Sequence, residues 1–193
     1  FPALTKGLPA WTTNVTFFAG SIPFTTAAYL QLFQAANADD TYTSGAKRPN
    51  LFGWDPKSVG WISAATQFVG TVAFNFNTFD AINSPAGWLM QNTVIWLPGM
   101  IGSVLFLVSA YLAYIETSHA HDIRPRRELA WWIVAINLLG CIAFMIASTV
   151  AYVPHGTDPQ WALDASNANL WFGAFCFFVA AALSMIEARH AAH

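Results

Sequence analysis

Five long runs without a single Asp, Glu, Lys or Arg divide this chain: Val15–Ala35, Ser58–Phe79, Thr93–Ile115, Leu129–Val153 and Ala165–Ile186. A hydrocarbon core about 30 Å thick takes about 20 helical residues at about 1.5 Å each. Lipid offers no partner to an unpaired backbone amide, so such a run has to close its hydrogen bonds internally, as a helix. The runs therefore predict an all-α fold, a polytopic membrane bundle of five transmembrane helices. Its spans fall near 14–37, 58–81, 93–116, 128–153 and 167–188, in one transmembrane domain over 1–193. Pro56, Pro85, Pro125 and Pro154 stand in or beside the connecting segments, whereas Pro23 and Pro98 fall inside runs and predict kinks.

Composition agrees with lipid as the solvent. The chain is 55% hydrophobic and 9% charged, against roughly 25% charged residues in soluble domains. Cys141 and Cys176 each lie within an apolar run and read as small buried hydrophobes, not as a disulfide framework. A net charge of −2 leaves no basic patch for nucleic acid, which is not expected as a partner. The first run has a signal-peptide look, with Lys6 before it and Ala36-Asn37-Ala38 after it. Its length and the repeat below make it a span instead.

Orientation follows from the cationic residues, which are retained on the cytoplasmic side during insertion. Lys47, Arg48, Lys57, Arg124, Arg126, Arg127 and Arg189 fall on one side and only Lys6 on the other. This asymmetry puts the N-terminus outside and the C-terminus in the cytoplasm. Trp11, Trp54, Trp61, Trp96, Trp131, Trp132 and Trp171 lie near the expected ends, where amphipathic rings anchor at the headgroup level.

Every run carries Gly, three residues, then Phe: Gly20/Phe24, Gly70/Phe74, Gly102/Phe106, Gly140/Phe144 and Gly173/Phe177. A small residue always follows the Gly (Ser21, Thr71, Ser103, Cys141, Ala174), and another stands eight on (Ala28, Thr78, Ala110, Ser148, Ala181). Five matches in five runs indicate an internal repeat. Residues at i, i+4 and i+8 share one helix stripe, so each helix presents two notches and an aromatic knob suited to packing in lipid. Gln67 and Asn137 both stand three residues before their Gly, in the second and fourth runs only. The offsets Gly70 to Gly140 and Gly102 to Gly173 are 70 and 71 residues, which suggests a duplicated two-helix unit with the first helix added in front. Gln67 and Asn137 are then expected to face each other as an interhelical amide pair.

Gly60-Trp61, Gln67-Phe68-Val69-Gly70-Thr71, Phe74-Asn75, the repeated Gly-Ser-x-x-Phe cores and Asn137-Leu138-Leu139-Gly140 resemble the YrhK-like domain family of small bacterial multi-span membrane proteins. The resemblance covers most of 14–187, with Cys141 where Ser is usual and Pro23 inside the first core as departures. It implies a multi-span fold in a bacterial inner membrane and, since the family has no assigned activity, no mechanism.

Two constellations could carry chemistry. Glu116-Thr117-Ser118-His119 and Glu187-Ala188-Arg189-His190 are both Glu-x-x-His, each Glu fourteen residues after its Gly. Residues at i and i+3 share a helix face, so Glu116, His119, Glu187 and His190 could present two carboxylates and two imidazoles to a metal ion. The equivalent place in the first run holds Gln34 and Asn37, so the further carboxylates of ferritin-like sites are missing, and Asp39, Asp40 and Asp122 would have to fold back to supply them. The plainer reading makes Glu116 and Glu187 boundary charges that pair with Arg124, Arg126, Arg127 or Arg189. No histidine lies in the apolar part of a run, which argues against haem held by two histidines inside the bilayer. The second constellation is a polar stripe in the second run: Thr66, Gln67, Asn75, Asn77, Thr78 and Asp80. Polar groups at membrane depth face the protein interior or a wet cavity, which permits transport.

No phosphate-binding Gly-x-x-x-x-Gly-Lys, His-Glu-x-x-His or Gly-x-Ser-x-Gly is present, so no enzyme signature stands out. The reading favoured by sequence is a non-catalytic structural or accessory subunit, a homo-oligomer or a partner of other membrane subunits. The alternatives are metal binding at the cytoplasmic face and a small-solute transporter or channel component.

Overall fold

The computed structural model describes residues 9–38, 50–118, 128–157 and 160–191, and within them the chain folds into five helices. Helix α1 spans Ala10–Ala36 and α2 spans Val59–Ile82. Helix α3 runs over Trp88–Ser118, with a π-helical turn at Asn92–Trp96. Helix α4 spans Leu129–Val150 and α5 spans Gln160–Ala191. The ends are built from local chemistry. Pro9 precedes α1, and Asn37 closes it: its amide donates to Phe33 O at 2.7 Å and exchanges two bonds of 2.9 Å with the backbone of Asn50. Ser58 caps α2 by accepting from Trp61 N. Gly87 takes φ 97° at the turn into α3, a region where a side chain would be strained.

Two helices start earlier than the charge-free runs suggest. Helix α3 begins at Trp88, whose indole donates to Val153 O at 2.7 Å, and α5 begins at Gln160 and passes through Asp164. A helix is continued by backbone hydrogen bonds, not by hydropathy. An exposed Asp164 is therefore no obstacle to it, although it ends the apolar run.

Helices α3, α4 and α5 are long and apolar enough to cross a membrane, which fits an integral membrane protein. Helices α1 and α2, of 27 and 24 residues, hold no stretch as apolar as those three do. Many of their polar groups satisfy one another: Asn14 Nδ2 donates to Ala81 O at 2.6 Å, Thr25 Oγ1 to Asn75 Oδ1 at 3.2 Å, and Thr78 Oγ1 to Ser21 Oγ at 3.4 Å.

The distribution of side chains is the reverse of a water-soluble core. The buried positions are mostly small, with Ala28, Ala64, Ala110, Ala143, Ala147, Ser103 and Thr71 among them, while Phe17, Phe76, Ile101, Ile146, Phe175 and Phe178 lie exposed. Extensive exposed apolar surface marks a face made for lipid or protein. Small residues inside let backbones approach where lipid provides no hydrophobic drive between helices.

Packing follows chain order, each helix lying against the next. The α2–α3 and α4–α5 interfaces share one device. A methyl group on Gly70 would stand 3.1 Å from the Phe106 ring, and one on Gly102 only 2.5 Å from Phe74. Likewise a methyl on Gly140 would meet Phe177 at 2.8 Å, and one on Gly173 would run into Phe144. Antiparallel neighbours make this reciprocity natural, because a notch four residues before a knob meets the same motif reversed. The α1–α2 and α3–α4 interfaces instead join hydroxyls, Ser21 to Thr78 and Ser103 to Ser148 at 2.6 Å. Ser63 and Ser109 add a reciprocal pair between α2 and α3, each hydroxyl donating to the other's carbonyl at 2.8–2.9 Å.

Gly20 of α1 is different, since nothing lies within 4 Å of a methyl placed there. Gly102→Ala should therefore destabilise the bundle by about 1–3 kcal/mol through overpacking, whereas Gly20→Ala should be neutral or stabilising by up to about 1 kcal/mol through helix propensity. Unfolding titrations in mixed micelles would measure the contrast.

Candidate functional site

The five repeated phenylalanines meet near the middle of the bundle. Phe74 stacks on Phe106 with centroids 5.1 Å apart, and Phe144 lies edge-on to Phe177 at 5.0 Å. Phe74 and Phe144 join these two pairs at 5.8 Å. Phe24 closes the layer, reaching Phe106 at 5.6 Å and Phe177 at 6.0 Å. Helices α1 and α5 touch sparingly, so Phe24 against Phe177 is what bridges their seam.

A cavity lies on each side of this layer. The first, of about 590 Å³, opens toward the C-terminal ends of α1, α3 and α5 and takes lining residues from all five helices. The second, of about 460 Å³, lies toward their N-terminal ends. Phe24 and Phe177 line both, so a single thickness of aromatic rings separates them. Both cavities reach the surface along the α1–α5 seam, where Gly20, Ala27, Gln31, Ala174 and Ala181 are exposed.

The two cavities differ in chemistry. The first carries Gln31, Gln67, Asn137, Ser63 and Ser184 on its walls and Glu116 at its mouth. Gln67 and Asn137 thus line one space, and Gln67 Oε1 stands 3.5 Å from Ser109 Oγ, whose proton goes to Ser63 O at the shorter 2.8 Å. Glu116 is turned toward the first turn of α2: its carboxylate oxygens lie 3.3 and 3.4 Å from where a Gly60 methyl would be. A side chain at position 60 would displace that carboxylate. A negative charge beside the N-terminal turn of α2 is also favoured by the helix dipole. Cys141 is buried in the wall of the same cavity.

The second cavity is lined by Asn14, Thr16, Ser21, Asn77 and Thr78 around an apolar interior. Asn77 is fixed by an irregularity in α3. In the π-turn the Leu97 N–H reaches back to Asn92 O, and Pro98 follows without an N–H of its own. Asn77 Nδ2 supplies a donor from across the interface, to Ile95 O at 2.6 Å. Gly99 makes room for it, since a methyl there would stand 2.9 Å from that nitrogen.

The metal constellation is not assembled by the described residues. Glu116 faces Gly60, Glu187 and His190 lie on the last turns of α5 with His190 exposed, and His119 falls outside the described residues. Arg124, Arg126, Arg127, Asp39, Asp40 and Asp122 also fall outside them. Among the described residues no three His, Cys, Asp or Glu gather as metal ligands would.

Sequence reasoning passed over several of these residues. Gln31, Ser63 and Gly60 carried no catalytic spacing, and Gly99 looked like one more small residue in an apolar run. A Gly directly after Pro98, opposite a stripe containing Asn77, was the available signal. No protein-family model, curated protein or solved structure matches the chain.

Replacing Asn77 by Ala should cost about 1 kcal/mol, because the bond to Ile95 O that ties α2 to α3 is lost. Gly99→Ala should destabilise too. Both changes disturb one contact, so the double variant should lose less than the sum, measurable as a coupling energy in a double-mutant cycle.

Proposed function

We propose that this chain is a five-span protein of a bacterial inner membrane that passes a small solute between two cavities across the phenylalanine layer, as a transporter or channel component. The single observation that carries the reading is the first cavity, lined from all five helices and carrying the amides of Gln31, Gln67 and Asn137 on a largely apolar wall, ending on rings that also bound the second cavity. Packing alone accounts for the reciprocal Gly–Phe contacts but not for amides gathered around open space at membrane depth, where polar groups mark pathways and binding sites. A structural or accessory role, with a homo-oligomer or other membrane subunits as partners, accounts for the packing and leaves that cavity without a task.

In this reading the first cavity faces the cytoplasm and the second faces outside, with the N-terminus outside. Lys47, Arg48, Lys57, Arg124, Arg126, Arg127 and Arg189 support that orientation through the positive-inside rule. The lengths of α1 and α2 and their mutual satisfaction of polar groups support all five helices as spans. The matching reciprocal contacts of α2–α3 and α4–α5 support a duplicated two-helix unit with α1 added in front, and kinship with the YrhK-like family is proposed on the same motifs.

Rings that close a passage by excluding water should leak when one is removed. In proteoliposomes, Phe24→Ala should raise the passive flux of small neutral solutes several-fold over the unaltered protein, while Gln67→Leu and Asn137→Leu should lower solute uptake. Equal flux in all variants, with folding intact, would sink the passage. Topology has its own check. In a cysteine-free background, Lys57→Cys and Asn83→Cys should be labelled by an impermeant maleimide from opposite sides of the membrane, Asn83→Cys from outside.

A further inference from the structure

The first cavity has a division of labour along its length. Its floor is aromatic, formed by Phe24, Phe106 and Phe177; amides from Gln67 and Asn137 stand on its walls; and Glu116 is the only charged side chain that lines it among the described residues. Glu116 and Phe106 belong to the same helix, ten residues apart, so carboxylate and floor are separated by about 15 Å at about 1.5 Å per residue. A ligand of that site meets a carboxylate toward the helix ends and aromatic rings at the bottom, with neutral amides between.

We infer that the first cavity takes a small organic ammonium ion with an apolar or aromatic body, admitted by Glu116 and seated against the Phe24, Phe106 and Phe177 rings. The inference deepens the proposed function by naming its solute class, and rests on that reading for the solute's passage but not for its binding. Three features favour a cation. Glu116 is the one formal charge on the described lining, and a carboxylate attracts a counter-ion of opposite sign. Phenylalanine faces attract ammonium groups through the ring quadrupole. An anion would meet no cationic side chain anywhere on the described lining. An apolar body follows from the aromatic floor and from Ala28, Ala64 and Ala180, which are buried in the same walls. The volume of about 590 Å³ is in the range of small-molecule sites.

Glycine at position 60 is part of this site. It lets the Glu116 carboxylate lie over the start of α2, and a methyl 3.3 Å from one oxygen would shift the carboxylate by a few tenths of an ångström.

The test is equilibrium binding to the full chain in lipid nanodiscs made of phosphatidylglycerol, read by calorimetry. Phenethylammonium is the probe, 2-phenylethanol its neutral match and 3-phenylpropionate its anionic match. The unaltered protein should bind phenethylammonium at least tenfold more tightly than the alcohol, and the carboxylate least. Glu116→Gln should abolish the preference for the cation, and Gly60→Ala, which keeps the charge and shifts it only slightly, should retain the preference. Equal binding of cation and alcohol, absence of binding by all three to a folded protein, or a preference that survives Glu116→Gln would each overturn the inference. Repeating the titration in phosphatidylcholine nanodiscs separates the two sources of an ammonium group. With empty nanodiscs of the same lipid as the blank, binding of amine and alcohol that persists supports a free amine; loss of both together would assign the site to a lipid headgroup and overturn the free-amine form. Because no flux is measured, failure here leaves the leak through Phe24→Ala standing, and failure of the leak leaves the binding result standing.

Discussion

Where a glycine meets a phenylalanine ring across an antiparallel helix pair, two backbones come close enough for dispersion to do what hydrophobic burial does in water. Lipid tails are as apolar as leucine, so association between spans depends on fit. Gly70 against Phe106 with Gly102 against Phe74, and Gly140 against Phe177 with Gly173 against Phe144, supply that fit twice. The four rings that fill these notches are the same rings that converge in the middle of the bundle, so the device that holds the helices together also builds the layer between the cavities. Phe24 joins the layer without such an exchange, since Gly20 receives no ring. Helix α1 is therefore attached on one side by hydroxyl and amide bonds to α2 and on the other mainly by one ring contact to α5.

That asymmetry makes the α1–α5 seam more sparingly tied than the interfaces between helices consecutive in the chain. Three interfaces are made of close small-residue contacts or paired hydroxyls, and the α1–α2 interface adds Asn14 and Thr25 bonds. The α1–α5 seam has the Phe24–Phe177 contact, with a cavity above and below it. An aromatic pair is worth about 0.5–1.5 kcal/mol beyond its burial, which is small enough for thermal exchange to part it. Parting that contact disturbs none of the Gly–Phe pairs.

Much of this was legible in the residues. The Gly-x-x-x-Phe spacing marks a notch and a knob on one stripe in every run, and helix existence followed from the absence of charge. The starts of α3 and α5 were less legible, because Trp88 and Asp164 belong to helices that backbone bonding extends past the apolar segment. The amides Gln67 and Asn137 were visible as a repeated pair. What they do depends on whether neighbouring helices fill or leave the space between them, and spacing carries no information about that. The same holds for Glu116, whose carboxylate turns to the gap left by Gly60, a contact that its motif with His119 does not announce.

By itself the sequence determined a helical bundle rich in small-residue packing, because charge-free length and a periodic motif are properties of one chain segment at a time. Only the tertiary structure decided which Gly receives which Phe, that Gly20 receives none, that Asn77 serves the carbonyl of Ile95 beside Pro98, and that open space remains on both sides of the rings. The physical reason is that a cavity is a property of how several helices fail to touch, and no single helix contains it.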